Sequence, residues 1–575
     1  MIEKMTKYSF ILLKGGEEKF LDQLRELGVV DIKRSSVPVD AHSTDLMDRI
    51  GQVKHEIESL ENGVDTHLTE LLDQLDSMES AKDAIAPWGD YDRDKTDALS
   101  KAGVPIHFYC VRKKAYDPEW ESKYPIEIIL DDGKTVHFVL AGGNYGFPVT
   151  EMHTPLSTIH ELEGMINAKD KEIERYRKHL EDRKSEIPGL EARRNELTDE
   201  LTVYLASLAG ESAVEDRLTI YEAFAPTDCD ARLAEALDSS DALWFKAVAT
   251  KEDNPPISLR NNWFTRQFEV LTDMYGRPAY DEFDPTPILG PFFLLFFAMC
   301  MGDAGYGLLL ILIGWLLKKK VPSMAKLGPL VMMLGVGTFL VGIVLHTFFG
   351  INLYTAEWVP QWLKRCMVSG SIAGYDAQMV LAVGVGIFHI CLATIVKAIC
   401  HTSRFGFTKC ISTWGWTLLI VGSVITGGLA LLGVIDMPVV KIILIVLGIV
   451  SGLGIFFLND LHRNPLLNVG SGLWSTYNTV TGLMGDVLSY LRLYALGLAG
   501  GMLGNTFNTL AGMTLGIKLP GVNFLLFIII LLIGHVLNLA LSCLGAFVHP
   551  LRLTFVEYFK NSGYEGTGRD YRPLK

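Results

Sequence analysis

Residues 471–515 read SGLWSTYNTVTGLMGDVLSYLRLYALGLAGGMLGNTFNTLAGMTL, with one acid, Asp486, and one base, Arg492. In lipid every backbone N–H and C=O must be bonded internally, and a single apolar run of this length does that only as an α-helix. A bilayer core takes roughly 20 helical residues. This segment and a second long one at 521–559 must therefore be tilted, bent or extended beyond the membrane. Burying the Arg492 guanidinium costs at least about 2.5–3.5 kcal/mol on insertion scales, and its pKa is too high for it to shed the charge. Such a charge persists only where it meets water, a counter-ion or a passing ion.

Working outward, further apolar runs long enough to cross a bilayer lie at about 328–346, 378–396, 411–434 and 439–458. A stretch at 287–317 carries Gly302-Asp303-Ala304-Gly305 near its centre and reads either as one long helix or as a tight hairpin of two short ones. Charge placement favours the hairpin. With it there are eight crossings, both termini share one side, and twelve loop cations face four. The twelve are Lys318, Lys319, Lys320, Lys326, Lys397, Arg404, Lys409, Arg463, Lys560, Arg569, Arg572 and Lys575; the four are Lys364, Arg365, Lys441 and Lys518. That bias satisfies the positive-inside rule with cytoplasmic termini.

Steps of three and four from Arg492 reach Ser489, Gly485, Thr481 and Asn478 one way, and Ala495, Ala499, Met502 and Thr506 the other. One helix face is thus mostly small or polar, suited to water or to close approach by another helix. The bland alternative is a packing seam with the arginine tied to a carbonyl or to Asp486. On the last long segment His535, Asn538, Ser542, Gly545, His549 and Arg552 form one stripe, with Glu557 beyond it. A polar stripe in a leucine-rich helix lines a water-filled half-channel or faces the other charged helix; its lower members are otherwise interfacial residues at a helix end. Pro550 is expected to bend this helix.

The remainder of the chain differs in kind. Residues 1–285 carry 34 lysines and arginines against 57 acids, whereas 286–575 carry 18 against 9. The averages, 49% hydrophobic and mean hydropathy +0.24, conceal this acidic half fused to an apolar one. The split excludes a simple cytosolic enzyme, a disordered chain and a nucleic-acid binder with a basic surface. The first residues, MIEKMTKYSFILLKGGEEKF, lack a signal-peptide pattern, so the acidic half is expected to stay in the cytoplasm. Eight scattered cysteines without CxxC or a His/Cys cluster read as reduced thiols, with no metal site.

Within the acidic half, residues 5–12, 17–27 and 29–33 read as strand, helix and strand, a βαβ-like start. Apolar residues then recur at heptad-like steps over 45–85 and again over 155–210, the spacing of an antiparallel coiled coil, with Pro188 expected to kink the second helix. A base lobe combines 1–37 with 212–280, and a distal lobe at 88–150 has strand patterns at Ile106–Val111 and Thr135–Leu140. The expected fold is an α-helical membrane domain over 286–575 with eight transmembrane helices, the last two long and tilted, behind an α+β cytoplasmic arm over 1–285. No GxxxxGK[ST] phosphate loop is present, so the chain should not itself hydrolyse ATP. Apart from Asp486 the two long segments carry no mid-segment carboxylate, so a titrating carboxylate would come from another subunit.

Three motifs resemble the membrane stator subunit of rotary V-type and A-type ATPases, subunit a of the former and subunit I of the latter. Phe292–Phe297 through Met301-Gly302-Asp303-Ala304-Gly305-Tyr306-Gly307 looks like that family's aromatic hairpin ending in GDxGxG. Ser489-Tyr490-Leu491-Arg492-Leu493 is similar to the segment bearing its essential arginine, and His549-Pro550-Leu551-Arg552-Leu553 with Val556-Glu557-Tyr558 to its last helix and second arginine. The order and the acidic coiled-coil half agree. Many eukaryotic relatives carry a histidine where this chain has Gly500 and a glutamate where it has Ser542.

The resemblance implies a proteolipid c/K ring with one buried carboxylate per subunit turning past this chain, with Arg492 and Arg552 stabilising the ionised carboxylate between two offset half-channels. It implies half-channel lining by Ser489, His535, Asn538, Ser542, His549 and Glu557, and a structural hairpin at Gly302, Asp303, Gly305, Tyr306 and Gly307. Partners would be peripheral-stalk helices of E/G type, a central-stalk cap subunit and the lipid bilayer, with no cofactor, no nucleotide site and no nucleic acid. The short length looks prokaryotic, which implies the cell inner membrane, and the driven ion would be a proton or sodium. A self-contained secondary transporter would predict repeated membrane halves, and 286–430 and 431–575 show no convincing repeat. A membrane-anchored sensor would leave Arg492 and the stripe without a purpose.

Overall fold

The computed structural model describes residues 2–34, 40–89, 93–143, 145–152, 159–214, 217–320, 327–357, 359–372, 374–457, 465–516 and 521–574. Of the loop cations above, Lys326, Arg463, Lys518 and Lys575 lie outside the described residues. The chain divides into two compact units, Met1–Lys33 with Glu211–Lys575, and Arg34–Gly210. The first opens with β1 (Met5–Leu13), α1 (Glu17–Leu27) and β2 (Asp31–Ile32). The second contains α2 (Ala41–Asn62), α3 (Thr66–Ile85), β3 (Ile106–Arg112), β4 (Ile126–Asp131), β5 (Thr135–Ala141), α4 (Ile159–Arg183) and α5 (Ile187–Ser207). The first resumes with β6 (Glu211–Ala213), β7 (Leu218–Pro226), α6 (Asp230–Asp238), β8 (Leu243–Val248) and β9 (Pro256–Ile257). Its apolar helices are α7 (Thr286–Met301), α8 (Ala304–Lys320), α9 (Gly328–Val344), α10 (Ala377–Phe405), α11 (Ile411–Leu431), α12 (Met437–Phe456), α13 (Pro465–Thr514) and α14 (Val522–Arg552), and β10 (Arg569–Asp570) closes the chain.

In the second unit the first heptad-like stretch is two helices. Gly63 ends α2 with φ +66°, and the Asp65 carboxylate starts α3 by accepting the Leu68 N–H at 2.8 Å. Val64, read in sequence as part of the apolar stripe, is 48% exposed in that joint. The second stretch breaks as expected near Pro188: a 3-10 turn at Lys184–Glu186 precedes α5, whose early position tolerates a proline lacking N–H. Cross-helix pairs run antiparallel, because one number rises as the other falls: Asp40 with Tyr204, Glu56 with Arg183, Asp65 with Tyr176 and Lys82 with Glu163. Between them Leu60, Leu68, Leu71, Ile173 and Leu180 form one core and Leu46, Leu197, Leu201 and Leu205 another. Each buried leucine contributes about 1.5–3 kcal/mol, against about 0–1 kcal/mol for an exposed ion pair. The strand patterns of the distal part form a sheet of order β3-β5-β4 around Tyr109, Val136 and Phe138.

In the first unit β1 and β2 are not neighbours. The sheet order is β2-β7-β1-β8, so a strand some two hundred residues later separates the two that read as βαβ. Phe20, Leu21 and Leu24 of α1 and Leu233 and Leu237 of α6 are buried with Tyr8 and Phe10 of β1. The C-terminal tail returns beside this sheet: β10 and β9 form a separate parallel pair, the Tyr571 hydroxyl donates to Val29 O at 2.6 Å, and Leu574 N–H donates to Val30 O at 3.0 Å.

Five helices, α10 to α14, are long and apolar enough to cross a membrane, and α7 and α9 are shorter apolar helices. The chain reverses direction at Gly302-Asp303. Positions 294 and 303 face 337 and 342, so α7 runs parallel to α9, while 307 and 314 face 335 and 328, so α8 runs antiparallel to it. A methyl group at Gly307 would meet Phe339 N at 2.5 Å, which is why α8 and α9 approach so closely. Beyond α14 the helix continues as a π-turn over Leu553–Tyr558 and a last turn at Phe559–Ser562.

The Asp40 cap gives a pH test. Tyr204, then the Ser43 N–H and hydroxyl, hold its carboxylate at about 2 against an ordinary 3.8. A depressed carboxylate stabilises above its ordinary value and loses that contribution as the pH falls through about 2. Amide exchange in the first turn of α2 should therefore accelerate on acidification over that window in the wild type. In Asp40→Ala it should already be fast at neutral pH.

Candidate functional site

Arg492 sits midway along α13 between two contrasting faces. On one, Tyr490 and Leu493 are fully buried and Gly497, Gly500 and Gly504 allow close approach: Gly497 to the end of α7, Gly500 to Ser542 of α14, and Gly504 to Gly350. On the other, Asn478, Thr481, Gly485, Ala495, Ala499, Met502 and Thr506 are exposed, the small and polar series that steps through Arg492. The guanidinium Nη1 is buried with no hydrogen-bond partner among the described residues. Asp486, the local carboxylate that could have tied it down, is engaged elsewhere: Asn561 Nδ2 donates to it at 2.7 Å and Lys560 Nζ lies at 3.6 Å.

The Gly302–Gly307 motif is a clamp. Asp303, 1% exposed, accepts four backbone N–H groups: Gly305 at 2.8 Å, Tyr306 at 3.3 Å, Phe349 at 2.8 Å and Gly350 at 2.7 Å. It thereby starts α8 and fixes the turn that follows α9. Gly302 has φ +62°, and a methyl there would stand 3.2 Å from the Gly497 Cα. A methyl at Gly305 would meet the Phe349 ring at 2.5 Å.

A chain of side-chain hydrogen bonds leaves from this clamp. Asn508 Nδ2 donates to Phe349 O at 2.7 Å, which leaves its Oδ1 to accept from His535 Nε2 at 3.0 Å. Nδ1 of His535 is then the lone-pair nitrogen, and the Tyr306 hydroxyl donates to it at 2.9 Å. Asn538 Nδ2 donates to the Tyr306 hydroxyl at 2.8 Å and to Gly500 O at 2.9 Å, while its Oδ1 accepts from Ser542 at 3.3 Å. Two carbonyls, Phe349 O and Gly500 O, set the direction of every bond. His535, Asn538 and Ser542 are thus brought together with Tyr306. Sequence reading missed Asn508, which shares an apolar helix with other small polar residues and has no distinguishing spacing.

The arginine end of the α14 stripe is differently placed. Arg552 is exposed, His549 Nδ1 is buried without a partner among the described residues, and both arginines act on His549 electrostatically. Glu557 lies in the π-turn, 2% exposed; its Oε2 has no partner among the described residues and the Ser489 hydroxyl faces its carboxyl. His389 of α10 also escaped sequence reading, as a lone histidine in an apolar run. It is buried, stacks flat on Tyr558 at 4.6 Å and bonds the Tyr490 hydroxyl through Nδ1 at 2.9 Å, locking the face of α13 opposite Arg492.

Two polar cavities reach α13 from opposite ends. One, of about 420 Å³, is lined by Lys397, His401, Asn478, Gly482, Asp486 and Lys560 among others. The second, of about 230 Å³, is lined by His346, Gln378, Leu493, Tyr494, Gly497 and Asn505 among others. On α13 they stop at 486 and start at 493, about 10 Å apart at 1.5 Å per residue. Arg492 occupies that gap. A smaller space of about 150 Å³ opens beside Asn538 and Ser542.

Residues 145–354 match the model of the V-type ATPase 116kDa subunit family. The chain is 29% identical over 552 positions to the A-type ATP synthase subunit I of Methanocaldococcus jannaschii, covering 88% of this chain and 73% of that protein. It is 33% identical over 331 positions to the A-type ATP synthase subunit I of Pyrococcus horikoshii, covering 56% and 48%. It is also similar to the V-type ATP synthase subunit I of Borreliella burgdorferi, 25% identical over 630 positions that cover the whole chain and 99% of that protein. The chain, with five helices long and apolar enough to cross a membrane, is thus similar over part of its length to the V-type ATPase 116kDa subunit family and over most of it to subunit I of A-type and V-type ATP synthases.

Proposed function

We propose that this chain is the stator subunit of the membrane sector of a rotary ATPase and presents Arg492 to a rotating proteolipid ring with one buried carboxylate per subunit. The observation that carries the reading is the uncovered face of α13. A permanent cation, half-buried and with one nitrogen unpartnered among the described residues, stands in a series of exposed small and polar residues, a surface that admits a second helix and its carboxylate. The cavities on either side of Arg492 act as the two ion half-channels, one reaching Asp486 and the other Leu493. An ion enters along one, neutralises a ring carboxylate and leaves along the other after the ring has turned. Near Arg492 the ionised carboxylate is favoured, because an adjacent opposite charge stabilises the charged form. The ring therefore unloads there and cannot pass the ion straight through.

Arg552, with His549 and Glu557, belongs to the same path on α14, as do Ser489, His535, Asn538 and Ser542. The Gly302–Gly307 clamp holds α13 and α14 in register for it. In this reading all eight apolar helices, α7 to α14, cross the membrane and both termini face the cytoplasm of a prokaryotic cell. Residues 1–285 form the coiled-coil stator arm that meets peripheral-stalk helices, and a central-stalk cap completes the rotor. The chain supplies no nucleotide chemistry; coupling to ATP synthesis or hydrolysis runs through rotation.

Arg492→Ala should leave the complex assembled and lower coupled ion transport in proteoliposomes by more than tenfold; undiminished pumping by that variant would overturn the proposal. Arg492→Lys should also be badly impaired, since an ammonium can shed its proton beside apolar walls and lacks the planar fork. For α14, Ser542→Cys should react with a water-soluble maleimide through the small space it lines. Complete protection of that thiol in the assembled complex would mean that this stretch packs dry.

A further inference from the structure

The turn after α9 holds two non-glycine residues in the left-handed region, His346 with φ +55° and Phe349 with φ +47°. Such backbone is strained and persists only where the surroundings over-determine it. Phe349 is held by the Asp303 clamp. His346 is held on both sides of its peptide: its N–H donates to Ile343 O at 3.1 Å and its carbonyl accepts Leu353 N–H at 2.7 Å. The ring is oriented as well. Nδ1 lies 3.2 Å from Val368 O, nearer than the 3.5 Å to Gln378 Nε2, whose shorter bond is the one it donates to Leu345 O at 3.2 Å. A carbonyl only accepts, so Nδ1 carries the hydrogen and Nε2 the lone pair. Nε2 has no protein partner among the described residues, and His346 lines the 230 Å³ cavity that reaches Leu493, the neighbour of Arg492.

We propose that His346 is the proton-accepting residue of this half-channel: Nε2 takes a proton from water at the outer end, and the imidazolium returns it to cavity water on the way to the rotor carboxylate. The inference rests on the stator reading above and deepens it by naming a carrier, and with it the proton as the ion. In the pumping direction the same nitrogen takes the proton from the cavity and releases it outward, so the cycle leaves the imidazole unchanged. Burial holds the proton affinity of His346 below its ordinary value. The groups that face it are Asp376 from the head of α10, Tyr354 from the turn beyond Ile351-Asn352 and, across the cavity, Tyr494 of α13; α9 contributes no titratable side chain. Asp376 favours the imidazolium, so the transient charge has a counter-ion. Among the described residues the lining of this cavity includes no lysine, arginine or carboxylate, and His346 is its only group that titrates near neutral pH.

The test uses the whole complex in proteoliposomes, with transport driven by an imposed proton gradient. His346→Asn keeps a residue type that tolerates left-handed backbone, and His346→Gly relieves the strain and removes the ring. Both should assemble in wild-type amounts and transport about tenfold more slowly, the deficit growing as the external pH rises and free protons become scarce. Added imidazole should restore His346→Gly and leave Arg492→Ala inactive. Full transport by His346→Gly at every pH overturns the proposal, as does a pH-independent deficit that imidazole leaves untouched, or transport that requires sodium and ignores both substitutions. If Arg492→Ala is dead while both His346 variants are normal, only the carrier falls; if Arg492→Ala pumps, the stator reading falls with it.

Discussion

Asp303 brings a carboxylate into the membrane domain and surrounds it with four backbone N–H groups. A buried carboxylate is costly, several kcal/mol even after relaxation, and each charge-assisted bond returns about 1.5–3 kcal/mol. The balance is favourable only if all four donors arrive together, so the start of α8 and the turn at Phe349-Gly350 cannot move independently. From that turn the bonds through Asn508, His535 and Tyr306 return to the Tyr306 N–H on Asp303, closing a ring across α8, α13 and α14. The two helices that carry the arginines are thereby held to a common reference, while the glycines at 302, 497, 500 and 504 let their backbones come close enough for the bonds to form.

The polar groups of the membrane helices fall into two populations. Asp303, Tyr306, Asn508, His535 and Asn538 are bonded to protein. Arg492 Nη1, His549 Nδ1 and Glu557 Oε2 are buried and lack partners among the described residues, as do His389 Nε2, Trp416 Nε1, Ser451 Oγ, Thr554 Oγ1 and the Tyr558 hydroxyl. Leaving a buried polar atom unmade costs about 1–3 kcal/mol, so a protein retains such atoms where something else supplies the missing bond. The Tyr490–His389–Tyr558 cluster, on the buried side, keeps α13 from rolling that face inward.

The tail gives the last helix a second attachment. Beyond the π-turn, Glu282 accepts the Glu565 and Gly566 N–H groups and lies 3.6 Å from Arg404, and the Tyr564 hydroxyl donates to Gly276 O. The chain then pairs with β9 and closes on Val29 and Val30. Load on α14 can therefore pass into the β-sheet of the same unit through hydrogen-bonded backbone as well as through apolar packing.

Composition and periodicity alone determined the helical membrane half, the paired amphipathic helices, the break beside Pro188 and the isolation of Arg492 in an apolar helix, because these follow from the 3.6-residue repeat and from the cost of charge in lipid. They did not reveal the joint at Gly63–Asp65, where a local cap overrides a continuing stripe, nor that β7 would part β1 from β2, since strand order is chosen by residues far apart in the chain. Tertiary structure alone decided which of these polar atoms are bonded and which lack a partner among the described residues. Spacing on α14 put His535, Asn538, His549 and Arg552 on one stripe, but whether a side chain on that stripe is satisfied depends on what α8, α13 and the Phe349 turn bring to it. Hydrogen-bond partners separated by hundreds of residues leave no periodic trace in a sequence.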